Sequence, residues 1–228
     1  MERKIVSPSV IFTYTENVDV NLLKKLAERV ANNLYKVKDF FKEKVMGLEL
    51  TVCTKTELNK IVANSTNTYG DENNIPNWVT GFSINGKVYV ALLSEKNLDY
   101  TSKVAIHELV HLLSDKIEHK AKRPKLLQEG LATYLSNQMS DNRQKTIIDD
   151  YIENKLHKLD EYLNCNGLEF ANLNGYTYSY YAMEYCFAKY GKEKILHWLE
   201  YPEEFEEIVY DIKDEFEEHL IERLIKCT

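Results

Sequence analysis

Two histidines four residues apart, His107 and His111, constrain this chain more than any other feature of its sequence. Four residues of an α-helix turn through about 400°, so the two imidazoles project from the same side of the helix, one turn apart. Two ring nitrogens in this position can bind one zinc ion. Glu108 completes the pattern HExxH and lies beside such a metal, where a general base takes a proton from the water that the metal activates. The sequence therefore predicts a helix with a metal site on one side.

The residues around this motif indicate a buried helix, for which Asp99 is a suitable N-cap. Apolar side chains surround it on most sides: Val104, Ile106, Leu109, Val110, Leu112 and Leu113. The alternative interpretation of HExxH is two core histidines that bond to backbone carbonyls, because a buried polar group needs a partner. HExxH arises by chance in about one chain in fifty of this composition. A second motif is therefore needed to decide between the two.

The N-terminal half of the chain predicts a mixture of strands and helices. We expect a strand over residues 10–15, one long amphipathic helix over 19–44 and a second strand over 48–54. A loop over residues 64–77 and a β-hairpin over 78–93 follow. Asn85 and Gly86 form the turn of that hairpin, since both residues tolerate the positive φ of a tight primed turn.

The C-terminal half predicts helices alone. One helix runs from Pro124 to about Met139, and later helices are delimited by Asn174-Gly175, Gly191 and Pro202. The fold class is therefore α+β. We divide the chain into a mixed lobe, residues 1–116, which ends in the HExxH helix, and a helical lobe, residues 117–228. Any catalytic chemistry is expected where these lobes meet.

The charge balance argues against several classes of partner. The chain has 36 acidic and 29 basic residues, and its net charge of -7 gives no attraction to nucleic acid or anionic membranes. Residues 88–93, among the longest apolar runs, fall short of the ~18 needed to cross a bilayer, and residues 1–4 lack the apolar core of a signal peptide. We expect a cytoplasmic protein without nucleic-acid or membrane partners. The cysteines form no CxxC pair and are expected to be reduced thiols: Cys53, Cys165, Cys186 and Cys227.

A catalytic zinc site usually has three protein ligands, so one more is needed besides the histidines. The metzincin pattern HExxHxxGxxH is excluded, because Ser114 and Ile117 occupy the positions of its glycine and third histidine. Glu129 lies 18 positions after His111 in the segment LQEGLATY. The neighbouring Gly130 is small enough to let this segment approach the HExxH helix closely. Glu129 is therefore the candidate third ligand, and a solvated surface carboxylate is the alternative.

The sequence resembles the gluzincin metallopeptidases, the thermolysin-like and aminopeptidase-like superfamily, and in particular the small bacterial proteins described as peptidase MA-like. Residues 107–111 carry the resemblance together with residues 129–134, which look like the family signature EG(L/F)AxY. Weaker similarity extends to residues 78–82, before the HExxH helix, and to the tyrosine-led helix of residues 176–191.

This resemblance implies a zincin-like, thermolysin-like fold and a zinc peptidase that acts on peptide or protein substrates. It implies that His107, His111 and Glu129 bind Zn²⁺ and that Glu108 is the general base. It also makes Tyr176 the position of the family's oxyanion-stabilising tyrosine, with Tyr180 as the reserve candidate. The predicted edge strand would pair with an extended substrate: Trp78, Val79, Thr80, Gly81 and Phe82.

The chain departs from the family pattern at two places. Thr133 replaces the acidic residue that often orients a zinc-bound histidine, so a threonine hydroxyl, a backbone carbonyl or another carboxylate must do so. No GxMEN-like stretch precedes the HExxH helix, so exopeptidase activity is not supported. The rival hypothesis is a zincin-fold scaffold that binds metal without turnover. The sequence leaves open the substrate's identity and the oligomeric state.

Overall fold

The structure is a computed structural model that describes residues 3–6, 10–42, 47–66 and 70–226. It forms two compact units, Met1–Lys116 and Ile117–Thr228. The first is a mixture of strands and helices and the second is helical, so the α+β class is confirmed. Within the described residues, no helix has both the length and the apolar character that crossing a bilayer requires. Three predicted thiols are free cysteines, and the fourth, Cys227, lies outside the described residues.

The first unit contains a five-stranded sheet in the order β1-β2-β3-β5-β4. Its strands are β1 (Arg3–Val6), β2 (Val10–Tyr14), β3 (Leu48–Cys53), β4 (Gly81–Ile84) and β5 (Lys87–Ala91). The three inner strands run parallel, whereas β1 and β4 pair antiparallel at the two ends of the sheet. The hairpin between β4 and β5 is confirmed, and Asn85 and Gly86 have φ values of 50° and 73°.

One side of the three inner strands is buried by the residues Val10, Phe12, Leu48, Leu50, Val52, Val88 and Val90. On the other side, a smaller cluster covers only the end near β4 and β5: Cys53, Leu58, Val62, Ile75, Val79 and Ala91. This difference explains why β2 and β3 alternate between buried and partly exposed residues.

The described residues of the first unit form four α-helices: α1 (Val20–Asn33), α2 (Tyr35–Phe41), α3 (Lys55–Ser65) and α4 (Leu98–Asp115). The prediction of one helix over residues 19–44 is wrong, because the chain turns at Leu34, which has ψ -3°. Asn32 and Asn33, which favour turns over helix interiors, precede this break. The last residues of the predicted helix, 43–46, lie outside the described residues.

The HExxH motif lies on α4, as predicted, but the helix starts one residue before Asp99. A short 3₁₀ turn, Glu95–Asn97, leads directly into α4, so Asn97 occupies the N-cap position and makes no side-chain cap bond. The Asp99 carboxylate instead lies 3.0 Å from the ammonium of Lys103, one turn further along. Asp99 therefore supports the first turn as an ion-pair partner and not as a cap.

The described residues of the second unit contain a 3₁₀ helix, Leu159–Tyr162, and the α-helices α5 (Lys125–Leu135), α6 (Asp141–Ile152), α7 (Gly167–Asn172), α8 (Gly175–Glu200) and α9 (Pro202–Ile225). The predicted helix limits are confirmed at Asn174, which has a left-handed φ of 55°, and at Pro202. Gly191 interrupts α8 with a φ of 73°. Helix α5 ends at Leu135 and not near Met139, since Asn137 takes a positive φ of 54°.

Candidate metal centre

The two histidines of HExxH lie on one side of α4, with their Nε2 atoms 3.0 Å apart. His107 is buried, His111 is half-buried, and the ring centroids are 4.7 Å apart. Two nitrogens bound to one tetrahedral zinc ion at ~2.0–2.1 Å are separated by about 3.3 Å. The imidazole pair therefore fits a shared metal ion closely.

Glu108 projects from α4 toward the first residue of the edge strand, Gly81. A Cβ atom built on Gly81 would lie 2.8 Å from Cγ and 2.9 Å from Oε1 of Glu108. It would also lie 2.5 Å from Cγ1 of Val104, one turn earlier on the same helix. The carboxylate of Glu108 thus lies against the start of β4, where only a residue without a side chain leaves room for it.

Strand β4 is the last strand of the sheet order, and its inner edge is paired with β5. Gly81 is opposite Val90, and the amide of Ala91 donates to the carbonyl of Thr80 over 2.9 Å. Because hydrogen-bonded and non-hydrogen-bonded pairs alternate along an antiparallel ladder, Gly81 and Ser83 direct their N–H and C=O groups away from β5. In the part of the chain that the structure describes, no strand pairs with this side of β4, which we call the open edge of the sheet.

The predicted substrate strand of residues 78–82 is shorter in the structure, because β4 begins at Gly81. Trp78 lies in a turn and is 50% exposed, whereas Val79 and Thr80 are buried. Phe82 packs against the cluster on the side of the sheet that carries α3. Of the five predicted residues, Gly81 therefore has both strand conformation and outward backbone groups.

The segment before β4 is fixed by Lys55, the first residue of α3. Its ammonium donates to the carbonyl of Val79 and, over 3.2 Å, to that of Pro76. Burial lowers the pKa of Lys55. Sequence reasoning missed both this contact and α3 itself. The signal was present as a capping box, since Thr54 and Glu57 bond reciprocally at the start of α3.

Glu129 lies on α5 and is only 8% exposed, so it is not the solvated carboxylate of the alternative interpretation. The ammonium of Lys125, one turn earlier, is 3.6 Å from Oε1 of Glu129. The hydroxyl of Thr133 donates a hydrogen bond over 2.6 Å to the backbone carbonyl of Glu129, which belongs to the same helix.

Gly130 has a different neighbour from the one expected. A Cβ atom built on it would lie 2.7 Å from the carbonyl oxygen of Ser179 and 3.4 Å from Cε of Met183, both on α8. The glycine thus allows the close packing of α5 on α8. Because Gly130 fixes the position of α5 against α8, it also fixes where Glu129 lies within the second unit.

The structure brings the three predicted ligands together. One ligand atom each from His107, His111 and Glu129 lies within 4.8 Å of the other two. Two imidazole nitrogens and one carboxylate oxygen are a donor set that suits zinc and leaves a fourth position for water. The arrangement can therefore hold one metal ion of this kind.

The two candidate tyrosines make different contacts within α8 and its neighbours. Tyr176 packs edge-on against Phe170, with ring centroids 5.3 Å apart, and the guanidinium of Arg143 lies 5.6 Å from its ring centre. It lines a cavity of about 210 Å³ between α6, α7 and α8. Tyr180 packs instead on Tyr134, the last residue of the EGLAxY segment, at 5.6 Å. Tyr180 therefore contacts α5, the helix of Glu129.

No curated protein matches the chain with significance. Residues 59–206, more than half of the chain, match the model of the Peptidase MA superfamily. The match begins within α3 and spans the β4–β5 hairpin, the HExxH helix α4, and α5 with Glu129. The chain therefore belongs to the Peptidase MA superfamily.

Proposed function

We propose that this protein is a zinc-dependent peptidase of the gluzincin type with a zincin-like fold. The observation that carries the proposal is the group of His107, His111 and Glu129, whose ligand atoms lie within 4.8 Å of one another. These three residues would hold the zinc ion. When bound, zinc supplies the Lewis acidity that lowers the pKa of water toward neutrality and polarises a carbonyl group.

Glu108 acts as the general base and then as the general acid. It is adjacent in sequence to a metal ligand but projects toward Gly81, which leaves its carboxylate available for proton transfer. The carboxylate accepts a proton from the attacking water and delivers it to the nitrogen of the scissile amide as the C–N bond breaks. A tyrosine of α8, Tyr176 or Tyr180, donates a hydrogen bond to the developing oxyanion.

An extended peptide pairs with the open edge of β4. The outward N–H and C=O groups of Gly81 and Ser83 hold the substrate backbone, so recognition needs no particular side chain at those positions. The base lies next to Gly81, so binding at this edge brings a peptide bond toward Glu108. We therefore expect unfolded or flexible protein segments as substrates.

The test is hydrolysis of an unstructured protein substrate by the purified chain, with product masses recorded. A chelator should abolish cleavage and stoichiometric zinc should restore it. The matched control is Glu108→Gln, which keeps the shape of the side chain but cannot accept the proton. We expect it to retain zinc and to lose turnover by a factor of about 10³ or more.

The same experiment distinguishes the rival, a metal-binding scaffold without turnover. That hypothesis predicts zinc binding with no cleavage of any unstructured substrate. Cleavage that Glu108→Gln retains would mean that another base, or a contaminant, is responsible. Loss of zinc in Glu108→Gln would instead make Glu108 a structural residue.

A further inference from the structure

Gly81 occupies a strand position whose backbone does not require glycine. The positive φ angles that favour glycine occur at Gly47, Gly70, Gly86 and Gly191, and Gly81 is not among the residues with a positive φ. Glycine within a strand carries an entropic penalty and gives no side-chain packing, so its presence usually marks a close approach of another group. At Gly81 the approaching group is on α4.

Two side chains of α4 fill the space where a Cβ atom at position 81 would be. One is Val104, whose Cγ1 would be 2.5 Å away, and the other is Glu108, with Cγ at 2.8 Å and Oε1 at 2.9 Å. Real Cβ atoms essentially never come closer than 3.0 Å to a heavy atom beyond their own residue and its chain neighbours, so any larger residue would have to displace something. The valine contact concerns packing alone, whereas the glutamate contact involves the carboxylate itself.

The backbone of Gly81 also carries the N–H and C=O groups that point to the open edge of β4. The Glu108 carboxylate and the backbone groups that would pair with a substrate are therefore adjacent. A side chain at position 81 would leave those backbone groups unchanged. It would displace only the two α4 side chains that lie against this position, Val104 and Glu108.

We infer that Gly81 is a positioning residue: its missing side chain gives the Glu108 carboxylate the place from which it acts as the base. This inference rests on the proposed function, because it assigns Gly81 a role through Glu108. Substituting Gly81→Ala should move the carboxylate while the substrate edge and the metal ligands stay in place. The rate of the chemical step should fall and substrate affinity should change little.

The kinetic test separates the two contacts by removing the valine atoms. Gly81→Ala, Val104→Ala and the double variant are reconstituted with zinc, and kcat, KM and zinc content are measured on one peptide substrate. Val104→Ala should stay within about threefold of the parent in kcat. The double variant should keep its zinc and its KM, yet lose about tenfold or more in kcat. If its kcat equals that of Val104→Ala, Gly81 serves only strand–helix packing and the inference is wrong.

A second readout does not depend on activity. Thermal unfolding of the metal-free protein compares the effect of Gly81→Ala in two backgrounds, Val104→Ala and Val104→Ala/Glu108→Ala. The Tm should fall by about 3 °C or more in the first background and by much less in the second, where the clashing atoms are gone. Equal shifts in both backgrounds would show that an alanine at position 81 does not press on Glu108. An inactive parent chain would refute the proposed function, whereas an active parent with an unaffected double variant refutes the role of Gly81 alone.

Discussion

His107 and His111 direct their Nε2 atoms at each other across 3.0 Å on one side of α4. Lone pairs on two neutral imidazoles repel at this separation unless a proton or a cation lies between them. A shared metal ion would satisfy both nitrogens, and the carboxylate of Glu129, whose ligand atom lies within 4.8 Å of theirs, would supply compensating negative charge.

Glu129 should be essential for tight zinc binding. Glu129→Ala removes one of three ligands, and we expect the zinc dissociation constant to rise by a factor of about 100 or more, measured by competition with a chromogenic chelator. Glu129→Asp should retain part of the affinity, because the ligand type is kept with a shorter reach. Lys125→Ala is the matched control: it removes the cation 3.6 Å from Glu129 and should not weaken zinc binding. Parent-like affinity in Glu129→Ala would identify another third ligand.

One hydroxyl of α8 should stabilise the transition state. Tyr176→Phe and Tyr180→Phe are compared at matched zinc content, and the variant that loses the oxyanion donor should fall in kcat with little change in KM. Tyr178→Phe is the control, because the Tyr178 hydroxyl accepts a hydrogen bond from the backbone amide of His157 over 2.9 Å. If neither test variant loses about tenfold in kcat, roughly 1.4 kcal/mol of barrier, α8 supplies no oxyanion donor.

The close approach of α5 to α8 should depend on Gly130. In Gly130→Ala the new Cβ atom would lie 2.7 Å from the Ser179 carbonyl oxygen, which belongs to the backbone and cannot rotate away. We expect a loss of about 1–3 kcal/mol in the free energy of unfolding, measured with denaturant. Gly167→Ala is the control within the same unit, since its Cβ would make only an ordinary contact of 3.7 Å with Lys125. Equal stability of both variants would contradict the packing described.

Stability in acid should depend on Glu57. Burial opposes the charged form of Glu57, but hydrogen bonds to its carboxylate from Thr54, Asn17 and Thr15 outweigh burial and lower its pKa from 4.5 to about 2. A depressed pKa in the folded state stabilises the protein above the unfolded pKa, and this contribution is lost as the pH falls from 4.5 toward 2. Glu57→Gln should therefore be less stable than the parent at pH 7, and the difference should shrink through that range. A difference in unfolding free energy that does not vary with pH would contradict this.

Local patterns predicted those parts of the fold that local chemistry determines. The hairpin turn follows from the φ preferences of Asn85 and Gly86, and the common side of His107 and His111 follows from helix geometry. The capping box of Thr54 and Glu57 is also a local pattern, and it marks the start of α3 in the sequence.

Other features depend on contacts between residues far apart in the chain. The bond from Lys55 to the carbonyl of Val79, just before β4, joins residues 24 positions apart, and no periodicity of the sequence reveals it. The neighbours of Gly130 likewise depend on how α8 packs. The absence of a side chain at Gly130 indicates that another element approaches closely, but not that this element is α8. The contact between Gly81 and Glu108 could not be predicted either, because only the folded structure brings the Glu108 side chain against Gly81.

Zinc content of the purified chain tests the central claim most directly. Elemental analysis should find about one zinc per chain in the parent and almost none in His111→Ala prepared in the same way, because two remaining ligands do not close a catalytic site. A parent with no more zinc than His111→Ala, or a His111→Ala variant with a full complement of zinc, would contradict the assignment of His107, His111 and Glu129 as the metal centre.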